Sequence, residues 1–203
     1  RRNPDGSKDK FLRNADGSYT PPPGCYDTLA RDGSGYSIFD KHGLNHRFDL
    51  NGQLISITDR NFNQATLEYD AATRLLARVT DSRGLSIVFT YNQNHKVTSI
   101  IDPAWRVVSY AYDSDGNLSG SISPATEDYP DGTTTSYSYK SRHRLESITD
   151  PKGQRYVSLE YDGNDRVSVL AYGSGTYYFS YQPNLTTVTD PKGFKTDYTL
   201  NSD

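Results

Sequence analysis

The sequence has a single cysteine, no apolar run long enough to cross a membrane and no block of basic residues. Because Cys25 is alone, no disulfide can form within the chain, and the redox compartment cannot be inferred from it. A membrane-spanning helix needs roughly 20 consecutive apolar residues. The formal net charge of −3 makes nucleic acid and anionic membranes poor partners. The composition therefore predicts neither a membrane span nor a nucleic-acid partner.

Apolar residues are also scarce, at 33 % of the chain, which is low for a compact globule. The 17 tyrosines and 7 phenylalanines, together with regularly spaced Val, Ile and Thr, nevertheless favour β-strands. No window has the apolar periodicity of a convincing helix. A polar but aromatic-rich β-chain predicts a thin sheet with limited burial on its two faces.

The stretch from Thr66 to Asp81 shows the unit from which the chain is built. Leu67 and Tyr69 alternate with polar neighbours, which is the period-2 pattern of a half-buried strand. The segment 70–73 then breaks the pattern and a second apolar segment follows, so the stretch predicts a β-hairpin.

This hairpin recurs along most of the chain. An aromatic residue closes each first strand and an aliphatic residue six positions later opens the next. Successive aromatics lie 20 to 22 residues apart, except for one interval of 27. The aromatics are Phe48, Tyr69, Tyr91, Tyr112, Tyr139, Tyr161 and Tyr181. The aliphatics of the first six units are Leu54, Leu75, Val97, Leu118, Leu145 and Val167.

A second marker closes most of the hairpins with an apolar residue and a following aspartate. These closing aspartates are Asp59, Asp81, Asp102, Asp150 and Asp190. Two markers in phase at a fixed period indicate a repeat architecture with one supersecondary unit per period. The interval of 27 contains an insertion, residues 124–133, and insertions in repeats usually lie on one rim.

The repeat predicts the domain organisation. Residues 1–35 lack it and are predicted to be an irregular N-terminal cap or a flexible linker. Residues 36–203 are predicted to form the hairpin array. After a first hairpin of strands 36–40 and 45–49, the predicted strands are 54–59, 65–70, 75–81, 86–92, 97–102, 107–113, 118–123, 134–140, 145–150, 155–162, 166–172, 177–182, 185–190 and 195–200.

One spacing leaves two explanations open. Leu54 and Ile57 are three residues apart, and strict pleating would place them on opposite faces. Either a β-bulge restores the phase or both faces carry apolar burial.

The motifs resemble the YD-repeat family, also called RHS repeats. That family has roughly Tyr-Asp-x-x-Gly-Arg-Leu followed by Ile-Thr-Asp-x-x-Gly. The segments 112–118 and 48–54 match the first part, and 57–61 and 148–153 match the second. Thr73, His95, His143 and Asp165 replace the turn glycine, which leaves the turn type in those hairpins open.

The resemblance implies an all-β array of antiparallel hairpins in a strongly curved single sheet. Relatives wind such sheets into hollow shells that enclose a C-terminal toxin or other cargo, in bacterial exported proteins or on animal cells. It implies a structural, non-enzymatic segment of a shell wall, extracellular or at the cell surface, in a parent that we expect to be bacterial. Its partners would be the remaining repeats and the cargo. The start at Arg1 and the end in mid-turn suggest a segment truncated at its C-terminus.

The candidate site is the aromatic row, which we define as Phe48, Tyr69, Tyr91, Tyr112, Tyr139, Tyr161 and Tyr181. If the hairpins pair side by side, these rings line up across the sheet. They would then form either a structural ladder that stabilises strand pairing or an exposed platform on which sugar rings stack. The alternative function is therefore a glycan- or cell-surface-binding module.

The turns form a second candidate set. It contains Asp49, Asp70, Asp113 and Asp162, with Gly52 and Gly116. Aspartate in a turn bonds its own backbone, and glycine suits the left-handed region. Thr73 would be strained at positive φ, so its hairpin should turn differently. We also expect only Gly116, and not His95, to occupy positive φ without strain, so that Gly116→Val is more damaging than His95→Val.

No metal, cofactor or catalytic group is predicted. The segment 113–117 resembles the start of a calcium loop, but the later EF-hand positions do not match. His42 and His46 have a helical zinc-ligand spacing without a helix. The Asp-Pro-Lys-Gly copies at 150–153 and 190–193 resemble a self-cleavage motif of the family, yet both occupy ordinary hairpin-closing positions. Finally, an uncovered strand at 195–200 predicts weak edge-to-edge self-association.

Overall fold

The computed structural model describes residues 6–199, and the chain is all-β in that range. Nineteen strands and no helix occur among these residues. The strands are β1 (Leu12–Arg13), β2 (Tyr19–Thr20), β3 (Thr28–Asp32), β4 (Gly35–Phe39), β5 (Asn45–Phe48), β6 (Leu54–Thr58), β7 (Gln64–Tyr69), β8 (Leu76–Thr80), β9 (Ser86–Tyr91), β10 (Val97–Ile101), β11 (Val107–Tyr112), β12 (Leu118–Ile122), β13 (Thr134–Lys140), β14 (Arg144–Thr149), β15 (Arg155–Tyr161), β16 (Val167–Tyr172), β17 (Gly175–Gln182), β18 (Leu185–Thr189) and β19 (Lys195–Thr199). The predicted all-β array of antiparallel hairpins is confirmed.

The chain divides into two compact units between Trp105 and Arg106. In the first unit β1 pairs with β2. The strands β3 to β10 pair antiparallel in chain order, from β3 with β4 to β9 with β10. In the second unit the strands β11 to β19 also pair antiparallel in chain order, from β11 with β12 to β18 with β19. Short connections explain this order, because only antiparallel neighbours can be joined by a tight turn.

The observed strands from β4 onward lie within about two residues of the predicted ones. β13, for example, has both predicted ends. The last predicted strand, 195–200, is present as β19, and residue 200 lies outside the described residues.

Residues 1–35 contain three of the strands. β1 and β2 form a small separate sheet. β3 pairs with β4 from Thr28 opposite Phe39 to Asp32 opposite Gly35, so the sheet of the first unit includes β3. The role of this region as a cap or as a linker stays a prediction.

A β-bulge recurs at the start of the returning strand in six hairpins of the repeat, whereas the β17–β18 hairpin pairs without one. In the first full repeat Phe48 pairs with Leu54 and Arg47 with Ser56, so Ile55 has no partner of its own. The register shifts in the same place at Tyr69, Tyr91, Tyr112, Tyr139 and Tyr161. Because of the bulge, Leu54 and Ile57 share one face although they are three residues apart. Of the two explanations for that spacing, the bulge is confirmed.

The bulged register gives the sheet two chemically different faces. In the first unit Ile57 pairs with Ala65, and Leu67 pairs with Val79. These residues lie on the face that also carries the aromatic row, here called the aromatic face. The opposite, hydroxyl face carries Ser and Thr. Its side chains bond across strands, as Thr80 does to Ser86 at 2.9 Å and Ser138 to Ser147 at 2.7 Å.

The sheet is thin, as the composition predicts. Of the apolar side chains in residues 6–199, Ile38 and Val157 are buried, at 4 % and 8 % exposure. Most other strand residues on both faces are half-buried. Stability must therefore come largely from contacts between neighbouring hairpins.

Candidate functional site

The aromatic row occupies the ends of first strands throughout the array. Six of its members are tyrosines, and all seven side chains are half-buried. Phe48, Tyr69 and Tyr91 end β5, β7 and β9 in the first unit. Tyr161 ends β15 in the second unit, where Tyr181 lies one residue from the end of β17.

Four of the six tyrosine hydroxyls of the row bond to the backbone of the preceding hairpin. Tyr69 Oη donates to the carbonyl of Leu54 at 2.8 Å, and Tyr91 Oη to that of Leu76 at 2.7 Å. In the second unit Tyr161 donates to Leu145 at 2.8 Å and Tyr181 to Val167 at 2.7 Å. In each case the residue that supplies the accepting carbonyl is the one that pairs with the preceding aromatic residue of the row. The same joint thus links one hairpin to the one before it.

Two rings of the row are also covered on one face by an arginine. The guanidinium of Arg166 lies 4.2 Å from the centre of the Tyr181 ring, and that of Arg144 lies 5.3 Å from the Tyr161 ring, both within cation–π range. Burial, with a smaller effect of the Asp49 charge, raises the pKa of the Tyr69 hydroxyl above its usual range. These rings are built into the sheet rather than offered to solvent.

The form of the ladder differs from simple ring stacking. A T-shaped ring pair does occur between Tyr156 and Tyr172, with centroids 6.4 Å apart, but these residues lie outside the row. Within the row, hydroxyl-to-carbonyl bonds and arginine contacts carry the link. Sequence reasoning located the row, whereas the acceptor of each hydroxyl depends on the register between hairpins.

Removing one of these joints should have a measurable cost. We expect Tyr161→Phe to lower the free energy of unfolding by about 1 kcal/mol, because it deletes one hydrogen bond and leaves the Leu145 carbonyl without that donor. Tyr172→Phe is the matched control, since that side chain is 61 % exposed. Urea unfolding of both variants measures the difference. Equal midpoints for the two would contradict the joint.

The predicted turn aspartates act as caps for their own turns. Asp49 Oδ1 accepts the backbone N–H of Asn51 at 2.9 Å and of Gln53 at 2.8 Å. The Asp49 N–H donates to the carbonyl of Gln53, and the Gly52 N–H to that of Asp49. One carboxylate therefore satisfies two backbone donors in a loop of four to five residues.

The same arrangement occurs at both rims of the array. It is repeated, with one carboxylate or amide oxygen accepting the N–H groups two and four residues later, at Asp40, Asp59, Asp81, Asn92, Asp113, Asp150, Asp162 and Asp190. Both Asp-Pro-Lys-Gly copies are thus ordinary capped turns. Asn92 shows that a neutral amide can replace the carboxylate.

These hydrogen bonds favour the ionised carboxylates. The bond from the Arg166 N–H is the main cause that lowers the pKa of Asp162 below its usual range, and the bond from the Leu85 N–H does the same for Asp81. The Asn117 side-chain amide lowers the pKa of Asp113 in the same sense. The pKa of Asp70 is lowered mainly by the Thr73 N–H.

The residue three positions after the capping residue takes a left-handed conformation whether or not it is glycine. Gly52 and Gly116 have φ of 81° and 79°, as predicted. His95 and Asp165 have φ of 60° and 62° in the equivalent position. The capped turn therefore imposes the same geometry on both, and the greater cost expected for Gly116→Val than for His95→Val stays a prediction.

The Asp70 turn differs, as the strain argument predicted for Thr73. Arg74 takes the left-handed position, with φ of 61°, and its N–H bonds the Asp70 carbonyl at 2.8 Å. Thr73 instead donates its N–H and its hydroxyl to Asp70. The turn is one residue longer, so Tyr69 pairs with Leu76 and not with the predicted Leu75.

The left-handed conformation of His95 predicts how its substitution changes the stability of the chain. We expect His95→Gly to stabilise the chain by about 0.5 kcal/mol and His95→Val to destabilise it by about 1–2 kcal/mol, because glycine alone accepts positive φ without strain. Thermal unfolding measures both. A His95→Val variant as stable as the wild type would contradict the left-handed assignment.

Side chains of neighbouring turns also join hairpins, which sequence reasoning missed. Arg74 reaches Asp49 at 3.3 Å, and both Arg142 and Arg144 reach Asp165, at 2.7 and 2.6 Å. The partners lie one repeat apart, and only the repeat period hints at such contacts.

Within residues 6–199 no group of three or more His, Cys, Asp or Glu side chains is placed to hold a metal ion. The same residues contain no helix long and apolar enough to span a membrane.

Comparison with known proteins gives a family and several relatives. Residues 7–130 match the family described as Teneurin YD-shell. The chain is 31 % identical to the tRNA nuclease WapA of Bacillus subtilis (strain 168), over 94 % of this chain and 9 % of that protein. It is 30 % identical to the tRNA3(Ser)-specific nuclease WapA of Bacillus spizizenii, with the same coverage. The chain therefore spans about a tenth of these curated relatives.

Among solved structures, the chain is similar to one described as "Crystal Structure of TcdB2-TccC3-Cdc42". The match covers 93 % of this chain and 15 % of that one, at 13 % identity and a TM-score of 0.45.

Proposed function

This chain belongs to the Teneurin YD-shell family, and from that premise we propose that it forms part of the wall of a hollow shell that encloses a toxin or other cargo. The observation that carries the proposal is the repeated joint between hairpins. Tyrosine hydroxyls such as that of Tyr161 bond to the backbone of the preceding hairpin, and arginines of one turn bond to the next. A joint that repeats with the sequence period lets a thin sheet be extended without a second layer, which is the requirement for a wall.

The proposed role is structural and needs no cofactor. The WapA relatives are named as tRNA nucleases, but this chain spans 9 % of their length. We therefore assign that activity to other parts of those proteins. The chain alone is expected to leave tRNA intact in a cleavage assay, and specific cleavage would refute the non-enzymatic role.

Partners and location follow from the same proposal. The partners are further repeats and the cargo of a longer chain, and the location is outside the cell or at its surface. The relatives come from bacteria, which supports a bacterial parent. Self-association through 195–200 stays a prediction; the five residues of β19 are exposed.

The glycan-binding alternative is not favoured by the geometry of the row. A sugar platform needs free ring faces and free hydroxyls. Four of the six row tyrosines donate their hydroxyls to backbone carbonyls, and arginines cover two of the rings.

The wall proposal can be tested by protease access. In the natural protein, with any segments that flank this chain, we expect the enclosed segment to resist protease while the shell is folded. A variant with Tyr69, Tyr161 and Tyr181 all changed to Phe should admit protease to that segment at lower denaturant than Tyr172→Phe. Digestion of the segment in the folded wild type, at the rate found after unfolding, would refute enclosure.

A further inference from the structure

One joint of the aromatic row is missing, in the β13–β14 hairpin that follows the insertion. The Tyr139 ring is half-buried like the others, but its hydroxyl makes no hydrogen bond within residues 6–199. In the next hairpin Tyr161 donates to the Leu145 carbonyl. By the same rule Tyr139 would donate to Leu118, the residue that pairs with Tyr112. The row therefore does not link β13–β14 to the hairpin before it.

The side chains that face each other at this place are also polar. We call the pairing between the last strand of one hairpin and the first strand of the next a seam. On the aromatic face the β14–β15 seam pairs Ile148 with Val157. The corresponding pair of the β12–β13 seam is Ser121 with Thr135, and Ser121, like Ile148, lies three residues after the aliphatic residue of its hairpin. The β12–β13 seam therefore lacks the apolar pair.

The neighbouring pair on the hydroxyl face is weak as well. Gly120 lies in the middle of β12 opposite Ser136, whereas the β14–β15 seam pairs Ser147 with Ser158 there. A glycine inside a strand weakens the pairing, because it has no side chain to pack and loses more freedom on folding. A Cβ at Gly120 would meet its nearest neighbour at 3.8 Å, which is an ordinary contact, so close packing does not require glycine. The middle of the seam is thus weak on both faces.

Polar contacts hold the seam at its two ends. At one end Ser123 Oγ accepts the Thr133 N–H and the Ser123 N–H donates to the Thr133 carbonyl, each at 2.9 Å. At the other end Asn117, which is 9 % exposed, accepts a hydrogen bond from His143 Nδ1 at 2.5 Å. The Asn117 amide nitrogen donates to Asp113, which assigns its oxygen as the acceptor. The seam is closed by these end contacts and not by its middle.

We propose that the β12–β13 seam is the first part of the second unit to open, and that it acts as a gate in the wall. The stability of a repeat array is approximately a sum of unit and neighbour-interface contributions, so the array opens at its weakest interface. Opening there parts two hairpins without unfolding either of them. The gate role rests on the proposed wall function, whereas the opening of the seam does not.

Native-state hydrogen exchange of the chain measures this opening. Amides of β12 and of residues 134–136 should exchange about tenfold faster than those of the β14–β15 seam, the ratio expected from the loss of one or two cross-strand pairs. Both seams lie in the second unit, so complete unfolding of that unit exposes their amides alike. A difference between them therefore reports local opening.

A variant that fills the seam tests the cause. The filled variant, Ser121→Val with Thr135→Ile, gives the β12–β13 seam an aliphatic pair in place of two half-buried polar residues. Exchange at that seam should slow by about tenfold, towards the rate of the β14–β15 seam. The reverse change in the first unit, Val79→Ser with Ile87→Thr, should make the β8–β9 seam exchange faster by a similar factor.

A matched pair of tyrosine variants tests the missing joint. Tyr139→Phe should leave exchange at the β12–β13 seam unchanged, because the hydroxyl that it removes bonds nothing within the described residues. Tyr161→Phe should speed exchange at the β14–β15 seam, because it deletes the bond to the Leu145 carbonyl. Equal effects of the two variants on their seams would contradict the missing joint.

The gate role is tested in the natural protein, with any segments that flank this chain. The filled variant should delay protease access to the enclosed segment at low denaturant compared with the wild type. An unchanged rate of access, together with slowed exchange at the seam, would overturn the gate. Two results would overturn the opening itself: β12–β13 amides that exchange no faster than those of the β14–β15 seam, or a filled variant whose exchange equals that of the wild type. A failure of enclosure differs from both, because the wild-type segment would then be digested at the unfolded rate while the exchange difference persisted.

Discussion

Gly132→Ala is expected to lower the free energy of unfolding by roughly 3 kcal/mol or more, from left-handed strain of about 1–2 kcal/mol and overpacking of about 1–3 kcal/mol. Gly132 has φ of 73°, and a Cβ there would lie 2.1 Å from the Ser123 carbonyl oxygen and 3.2 Å from the Ile122 side chain. The close neighbour is backbone, which cannot rotate away. The Ser123 N–H in turn bonds the Thr133 carbonyl at 2.9 Å, so relief of the clash would open the base of the loop 124–133.

Gly153→Ala is the matched control for this prediction. Gly153 lies in the same unit at φ of 78°, but a Cβ there would have open space. It should cost only the conformational part, about 1–2 kcal/mol. Urea unfolding followed by circular dichroism compares the two. If both variants lose the same stability, the close approach of Gly132 to Ser123 does not exist in solution.

The strands and their order could be predicted because the repeat is written in local patterns. Tyr69 and Leu67 alternate with polar residues, and a capping aspartate follows one to two residues after most strands. A short turn leaves an antiparallel neighbour as the only partner, so topology followed from loop length. The bulge could not be chosen in advance, because spacings such as Leu54 to Ile57 fit two arrangements equally well.

The chemistry of the site was less accessible from the sequence. The row was found from its period, but the Tyr161 hydroxyl bonds a backbone carbonyl 16 residues earlier, and no side-chain pattern marks a carbonyl. The turn type at His95 was left open for a related reason. Residue preference argued against positive φ, whereas the two N–H groups held by Asn92 fix the backbone of the turn. Tertiary and turn geometry overruled the preference of one residue.

Acid is expected to unfold this protein cooperatively below about pH 4, near the ordinary carboxyl pKa. The turn aspartates with lowered pKa values include Asp49, Asp59, Asp70, Asp81, Asp113 and Asp162. Each binds a proton more readily in the unfolded chain than in the folded one. Their stabilisation is thus fully present above the unfolded pKa and is lost as the pH falls through the folded pKa. Because the caps repeat in both units, their losses accumulate.

A variant with Asp70, Asp81 and Asp162 changed to Asn should resist this loss. Asparagine keeps the oxygen that accepts the backbone N–H groups, as Asn92 shows at 2.9 and 3.0 Å, but it has no proton to bind. At pH 7 the variant should be somewhat less stable, because Asp81 and Asp162 also pair with Arg83 and Arg166. Towards pH 3 the wild type should lose more stability than the variant, and the proton uptake on unfolding should fall by up to about three.

Urea midpoints at pH 7, 5, 4 and 3 give the slope of stability against pH for each chain. The control carries the same change of charge at three exposed residues of the loop 124–133, as Glu127→Gln, Asp128→Asn and Asp131→Asn. Its slope below pH 5 should follow the wild type, because these carboxylates do not cap hairpin turns. Parallel slopes for the wild type and the turn variant would show that acid acts through net charge or other groups. A flatter slope in the turn variant alone would place the acid sensitivity in the turn aspartates, since the control removes the same number of carboxylates at positions that do not cap a hairpin turn.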